Sequence, residues 1–169
     1  MSANQNIILR PAQWPADEAV TTALLRAYAQ FLLHNPAGAV NICLADYEQE
    51  LATLAERFSE PNGALLLAFI EGKPAGCVAI KIRHDRPGAC EMKRLWVDPA
   101  HRGQRLGEIL TDAAIQWSRN HGFHTLLLDT VPAAIPQAAG LYRSMGFRET
   151  ARHNDNPVPG LAFFELDLR

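Results

Sequence analysis

The 169-residue chain carries 48% hydrophobic and 20% charged residues, the balance of a folded globular domain rather than a disordered segment. A formal net charge of −2 gives no general attraction to DNA, RNA or an anionic membrane surface, so only a local basic site remains open. The length suits one domain over residues 1–169, and no apolar run approaches the roughly 20 residues of a membrane span.

The opening MSANQNIILRP lacks the basic-then-apolar pattern of a secretory signal. Three widely spaced cysteines, Cys43, Cys77 and Cys90, form no Cys-x-x-Cys pair and argue against a secreted disulfide scaffold. A reducing cytoplasm is the simplest compartment for such a chain.

Asn6 to Arg10 reads as a first strand. Ala16 to His34 is helical by spacing, with Val20, Leu24, Ala27 and Phe31 on one broad apolar face, and Asn35-Pro-Ala-Gly38 breaks it. Asp46 to Phe58 reads as a second helix, with Asp46 as N-cap and Gln49 completing a capping-box analogue. Ala64 to Ile70 and Ala75 to Ile82 are apolar runs around the turn Glu71-Gly72-Lys73-Pro74, which predicts a central hairpin. Arg83 to Gly88 is polar and is expected to loop out. Ala89 to Val97 is a further strand, closed by Asp98-Pro99.

A helix then runs to about His121, with Leu106, Ile109, Leu110, Ala113, Ala114 and Trp117 inward and Gly122 as terminator. Thr125 to Thr130 reads as a buried parallel strand. Ile135 to Met145 is a short helix, and Phe147 to about Ala151 and Leu161 to Leu168 are the last strands. The strand–helix–strand crossover from Leu95 to Leu128 predicts an α/β sandwich on a mixed sheet.

The stretch HRGQRLGEILTDA, His101 to Ala113, places glycines and basic residues directly before a helix. Unpaired amides at a helix start carry positive potential, and glycines admit close approach of an anion. Arg102 and Arg105 can add charge-assisted hydrogen bonds. These features suit a pyrophosphate, and they suit a solvated structural loop equally well. Neither GxxxxGK[ST] nor GxGxxG is present.

The surrounding run CEMKRLWVDPAHRGQRLGEILTDAAIQWSRNHGF, together with LYRSMGF at Leu141 to Phe147, resembles the GCN5-related N-acetyltransferase (GNAT) superfamily. The likeness covers nearly the whole chain and is strongest from Ala89 to Phe147. It implies a GNAT-like mixed sheet of about six or seven strands flanked by about four helices. It implies acetyl-coenzyme A as co-substrate, held by the loop Arg102, Gly103, Gln104, Arg105 and Gly107 and by Glu108 in the first helical turn. The backbone of Leu95 and Val97 would pair with the pantetheine arm like an added strand. Ala138, with Ala134 and Ala139, would pack near the coenzyme tail. Arg105 departs from the family pattern, replacing a glycine. A non-glycine residue disfavours positive φ, so helical geometry is expected there.

The resemblance gives Tyr142 the role of acid toward the departing thiolate. Glu91 is the leading general base, against a simple pairing with Lys93 or Arg94. In a regular strand Glu91, Lys93, Leu95 and Val97 share one side, but the family commonly bulges here, which shifts the sides. Asp129 ends a buried run and needs a partner or water. It is assigned to substrate binding with His153, Asn154 and Asn156. Trp14, Tyr28 and Phe31 read as core before pocket. No histidine spacing supports a metal site.

The expected reaction is direct acetyl transfer to a primary amine of a small molecule. Protein or peptide N-acetylation and a non-catalytic acyl-coenzyme A sensor are the alternatives. Family members often form homodimers, and the resemblance leaves that assembly open for this chain.

Overall fold

A computed structural model describes residues 6–35 and 44–169. Seven strands form a single mixed sheet, in the order β1-β2-β3-β4-β5-β7-β6. They are β1 (Ile7–Pro11), β2 (Gly63–Ile70), β3 (Lys73–Ile82), β4 (Ala89–Val97), β5 (Thr125–Thr130), β6 (Arg148–Thr150) and β7 (Ala162–Asp167). The helices are α1 (Glu18–Leu33), α2 (Leu44–Ala52), α3 (Leu54–Arg57), α4 (Leu106–Asn120) and α5 (Pro136–Ser144).

The first four strands form an antiparallel meander. Glu71 and Gly72, at φ 50° and 76°, make the two-residue turn that pairs Ile70 with Lys73. Positive φ at both turn positions matches the natural twist of a hairpin. A register shift beside Ala68 lets β3 begin at Lys73, before the proline, rather than at Ala75. Among the described residues only β4 and β5 run parallel, and α4 is their crossover. The last strand, β7, inserts between β5 and β6, antiparallel to both.

Alternate residues of β2 bury against opposite layers, which is why its sequence is apolar throughout. Leu66, Ala68 and Ile70 join Leu106, Leu110, Ala114 and Tyr142 in the layer under α4 and α5. Leu65 and Leu67 join Leu25, Leu51, Leu54 and Trp96 under α1, α2 and α3.

The helix expected over Asp46 to Phe58 is two helices. Thr53, at φ −127°, separates them, and its hydroxyl donates to the carbonyls of Gln49 (2.8 Å) and Glu50 (3.4 Å). Such back-bonding competes with the helix ladder. Asp46 lies inside the first turn of α2 instead of capping it. Most of the expected break at Asn35-Pro-Ala-Gly38, and Cys43, lie outside the described residues. Among the described residues no helix is long and apolar enough to cross a membrane.

Candidate active site

The site begins with a fault in β4. Cys77 pairs with Trp96 and Ala79 with Lys93, so Arg94 and Leu95 together oppose the single residue Val78. Arg94 takes φ 57° at this bulge. Its guanidinium donates twice to Glu50 of α2, at 2.9 and 2.7 Å, and lies 5.2 Å from the Tyr47 ring. A bidentate, largely buried pair of this kind anchors an otherwise unfavourable backbone conformation.

The bulge corrects the side assignment for a regular strand. Glu91 and Lys93 pair with Lys81 and Ala79 on the α1–α3 face, whereas Leu95 and Val97 pack on the α4 face with Cys90 and Met92. It also separates β4 from β5. Their pairing covers only Ala89 to Glu91 against Thr125 to Leu127. Beyond Glu91 the edge of β4 that faces β5 has no strand partner among the described residues. An unpaired edge offers backbone donors and acceptors to an extended ligand.

The splay opens a narrow cleft of about 100 Å³, with Lys93, Arg94 and Leu95 on one wall and Asp129, Thr130 and Val131 on the other. Tyr28 of α1 and Tyr142 of α5 also line it. Tyr142 is buried, its ring tilted against Phe147 (5.7 Å) and Phe164 (6.1 Å). Burial, reinforced by nearby Tyr28 and Asp129, pushes its phenol well above the ordinary value of 10. Tyr142 is therefore protonated at neutral pH and equipped to donate.

On the α1–α3 face the cleft meets a cavity of about 680 Å³. Glu91 and Asp129 line it together. Glu91, 3% exposed, is held by Arg83 at 3.2 Å, by Asn154 at 3.0 Å and by Lys93 at 3.7 Å. Asn154 also donates to Asp129 Oδ2 at 2.7 Å, and Asn156 donates to the same oxygen at 3.4 Å. Among the described residues no donor reaches Asp129 Oδ1. His153 stands behind this network. Its Nε2 meets the Leu128 carbonyl at 3.1 Å, and its own carbonyl accepts from Arg83 at 2.8 Å.

Arg83 is the residue that sequence reasoning missed. It was expected in an outward loop, yet it is 8% exposed and joins Asp85, Glu91 and His153. The available signal was its place one residue beyond the buried strand, on the alternation of Ala79 and Lys81. Tyr28, read as core, borders both cavities. Trp14 packs, partly buried, against the α1–α3 core, and Phe31 packs against Trp96.

The loop before α4 is built from two tight turns. Asp98 caps a short 3-10 turn at Pro99–His101 by accepting from Ala100 N, and Gly103 turns at φ 79°. Arg105 overturns the expectation of helical geometry. It sits at φ 59°, as the residue preceding α4, where the backbone must reverse to start the helix at Leu106. An arginine occupies the left-handed position a glycine would fill at less cost.

Its guanidinium pairs with Glu108, at 2.9 and 2.6 Å, and Arg102 stacks over Phe31 (4.8 Å) and Trp96 (5.2 Å). Arg102 has no ion pair among the described residues, so its guanidinium and the amides of the first helical turn are the anion-binding groups left at the loop. The residues fit an extended phosphate-bearing ligand. The side-chain amide oxygen of Gln104 is buried without a donor among the described residues; as an acceptor it would not itself hold a phosphate. A Cβ on Gly107 would fill the space beside Leu141 (3.8 Å) and Val97 (3.9 Å). Ala138 packs at the edge of the α5 layer near Tyr142.

A model of the acetyltransferase (GNAT) family matches residues 27–147. An uncharacterized N-acetyltransferase of Schizosaccharomyces pombe is 32% identical over 169 residues, covering 99% of each chain. The aminoglycoside N(6′)-acetyltransferase type 1 of Stenotrophomonas maltophilia is 28% identical over 114 residues, 63% of this chain and 74% of that protein. A GNAT-family acetyltransferase from Staphylococcus aureus Mu50 shares the fold with a TM-score of 0.77 at 17% identity, covering 97% of this chain and 100% of that one. A Salmonella typhimurium protein solved with acetyl-CoA does so with a TM-score of 0.73 at 24% identity, covering 97% and 95%. The splayed β4 and β5, the loop into α4 and the tyrosine of α5 thus stand within a family match over most of the chain: it belongs to the GNAT acetyltransferase family.

Proposed function

We propose that this chain transfers the acetyl group of acetyl-CoA directly to a primary amine of a small molecule. One observation carries the reading: a cleft through the sheet joins the unpaired β4 edge and Tyr142 on one face to Asp129 and Glu91 on the other. When bound, acetyl-CoA supplies a thioester whose carbonyl carbon takes the amine nitrogen while the sulfur leaves. The amides around Gln104 to Glu108 hold its phosphates, and the backbone of Leu95 and Val97 aligns its extended arm.

The protein's own groups position the reactants and move two protons. Asp129 Oδ1, open among the described residues, receives the amine proton directly or through water. Glu91, paired with Arg83, shares Asn154 with Asp129 and so positions it. Tyr142 delivers its phenolic proton to the departing sulfur. The cavity volume lies within the range of small-molecule sites, which favours a metabolite-sized acceptor over a folded protein surface.

The test compares Glu91→Gln with Asp129→Asn by release of free thiol from acetyl-CoA with pooled amines. Asp129→Asn should lower the rate of thiol release by about 10²-fold or more, and Glu91→Gln should lower it less. Thiol release unchanged in both variants would refute the assignment. Acetyl-CoA binding without transfer to any amine would favour a sensor instead.

A further inference from the structure

The acceptor of the proposed reaction is a primary amine, and the chain carries primary amines of its own. Only three of its 16 lysine and arginine residues are lysines: Lys73, Lys81 and Lys93. Their settings differ. Lys73 is exposed at the first position of β3, and Lys81 is exposed near its end, beside the wide cavity. Lys93 also lines the narrow cleft, where it shares about 100 Å³ with Tyr142 and Asp129. That volume has room for about three waters. A lysine amine and the two groups assigned to proton transfer thus border one small space.

The sheet fixes where Lys93 stands. It pairs with Ala79 immediately before the bulge at Arg94, where β4 has already left β5. The neighbouring cations are engaged: Arg94 with Glu50, and Arg83 with Asp85 and Glu91. Lys93 is not held in this way. Among the described residues its ammonium meets one charged group, Glu91, at 3.7 Å, beyond hydrogen-bond reach. Its side chain is 29% exposed, so it is both loosely held and sheltered.

Resting on the acetyl-transfer reading above, we propose that Lys93 is a self-acetylation site, modified by its own cleft when acetyl-CoA is bound and no acceptor is present. Tethering replaces the encounter with a free amine, which favours a reaction between groups already side by side. The step balances without any further reagent. The Lys93 ammonium gives one proton to solvent and becomes a free amine. Its Nζ bonds the thioester carbonyl carbon, and the C–S bond breaks. The surplus proton on nitrogen passes to Asp129, and the sulfur takes the proton of Tyr142. The products are an Nζ-acetyl-lysine and the free thiol of coenzyme A.

The experiment incubates the full chain with acetyl-CoA and no added amine, and follows each lysine by peptide mass. Lys93 should gain one acetyl group about tenfold or more faster than exposed Lys73 or Lys81, at a rate per chain independent of protein concentration. Desulfo-coenzyme A, which has no thiol to carry an acetyl group, should protect Lys93 and leave Lys73 unprotected. Lys93→Arg should lose the single equivalent of thiol released per chain, because a guanidinium stays protonated. Lys93 modified no faster than Lys73, or not protected by desulfo-coenzyme A, would mark uncatalysed acetylation and overturn the inference. A rate that rises with protein concentration would place the transfer between chains and overturn it as well. Thiol release with pooled amines but no acetyl group on Lys93 would overturn the inference and leave acetyl transfer standing. No thiol release with pooled amines and no acetyl group on Lys93 would overturn both.

Discussion

Replacing Tyr142 with phenylalanine removes one hydroxyl and nothing else. The ring keeps its contacts with Phe147 and Phe164, so the layer under α5 stays filled and the melting temperature should hardly move. The chemistry should not survive so well. Tyr142 lines the cleft with Asp129, and burial first, then Tyr28 and Asp129, hold its proton on above the ordinary value of 10. A buried neutral phenol cannot serve as a base at pH 7, but it can protonate a leaving thiolate. Loss of a positioned acid costs about 10²–10³-fold in rate, which is roughly 3–4 kcal/mol at 1.36 kcal/mol per tenfold. The assay is a single-turnover measurement at saturating acetyl-CoA. The rate should fall by that factor with little change in coenzyme affinity, and a donor with a more acidic thiol should recover part of it. The sign of the pH dependence follows from the raised value: the donor form is lost only above 10, so Tyr142 contributes no alkaline fall between pH 7 and 10. A single-turnover rate within threefold of the parent would refute the acid role.

Glu50→Gln should destabilise the fold by about 3 kcal/mol, the lower end for a broken buried pair, because Arg94 loses its charge partner at the bulge. Burial alone would raise the Glu50 carboxyl, but the hydrogen bonds and charge of Arg94 outweigh it and hold it below 4.5. That stabilisation is present above pH 4.5 and is lost as the pH falls through the lowered value, so urea midpoints of parent and variant should converge in acid. A gap that stays constant from pH 7 to 3 would refute this pairing as its source. Arg105→Gly should leave the KM for acetyl-CoA within about threefold and the melting temperature equal or higher, since glycine relieves the left-handed backbone and the lost Glu108 pair is exposed. A tenfold rise in KM would show that the Arg105 side chain, not the loop amides, holds the coenzyme.

Most of the fold was legible along the chain because its signals are local. The apolar run of β2, the Glu71-Gly72 turn and the stripe Leu106, Leu110, Ala114 each follow a period that one strand or one helix must obey. The split at Thr53 escaped notice because a hydroxyl folding back on its own helix leaves no mark on that period. Arg105 misled for a related reason. Residue type disfavours a left-handed backbone, but the turn into α4 required one.

The candidate site divides along the same line. The residues HRGQRLGEI and LYRSMGF identified the family, and with it the loop and Tyr142. The partners of Glu91 were not legible: Arg83 is 8 positions away and Asn154 is 63. The β3–β4 register sets Arg83 beside Glu91, and a bulge at Arg94, pinned by Glu50 from 44 residues away, turns β4 from β5 and opens the sheet. By itself the sequence determined which elements form and which family they resemble, because periodicity and short motifs are properties of neighbouring residues. Only the tertiary structure decided which charges are already paired and which remain open, because neutralisation depends on distances that the chain order does not contain.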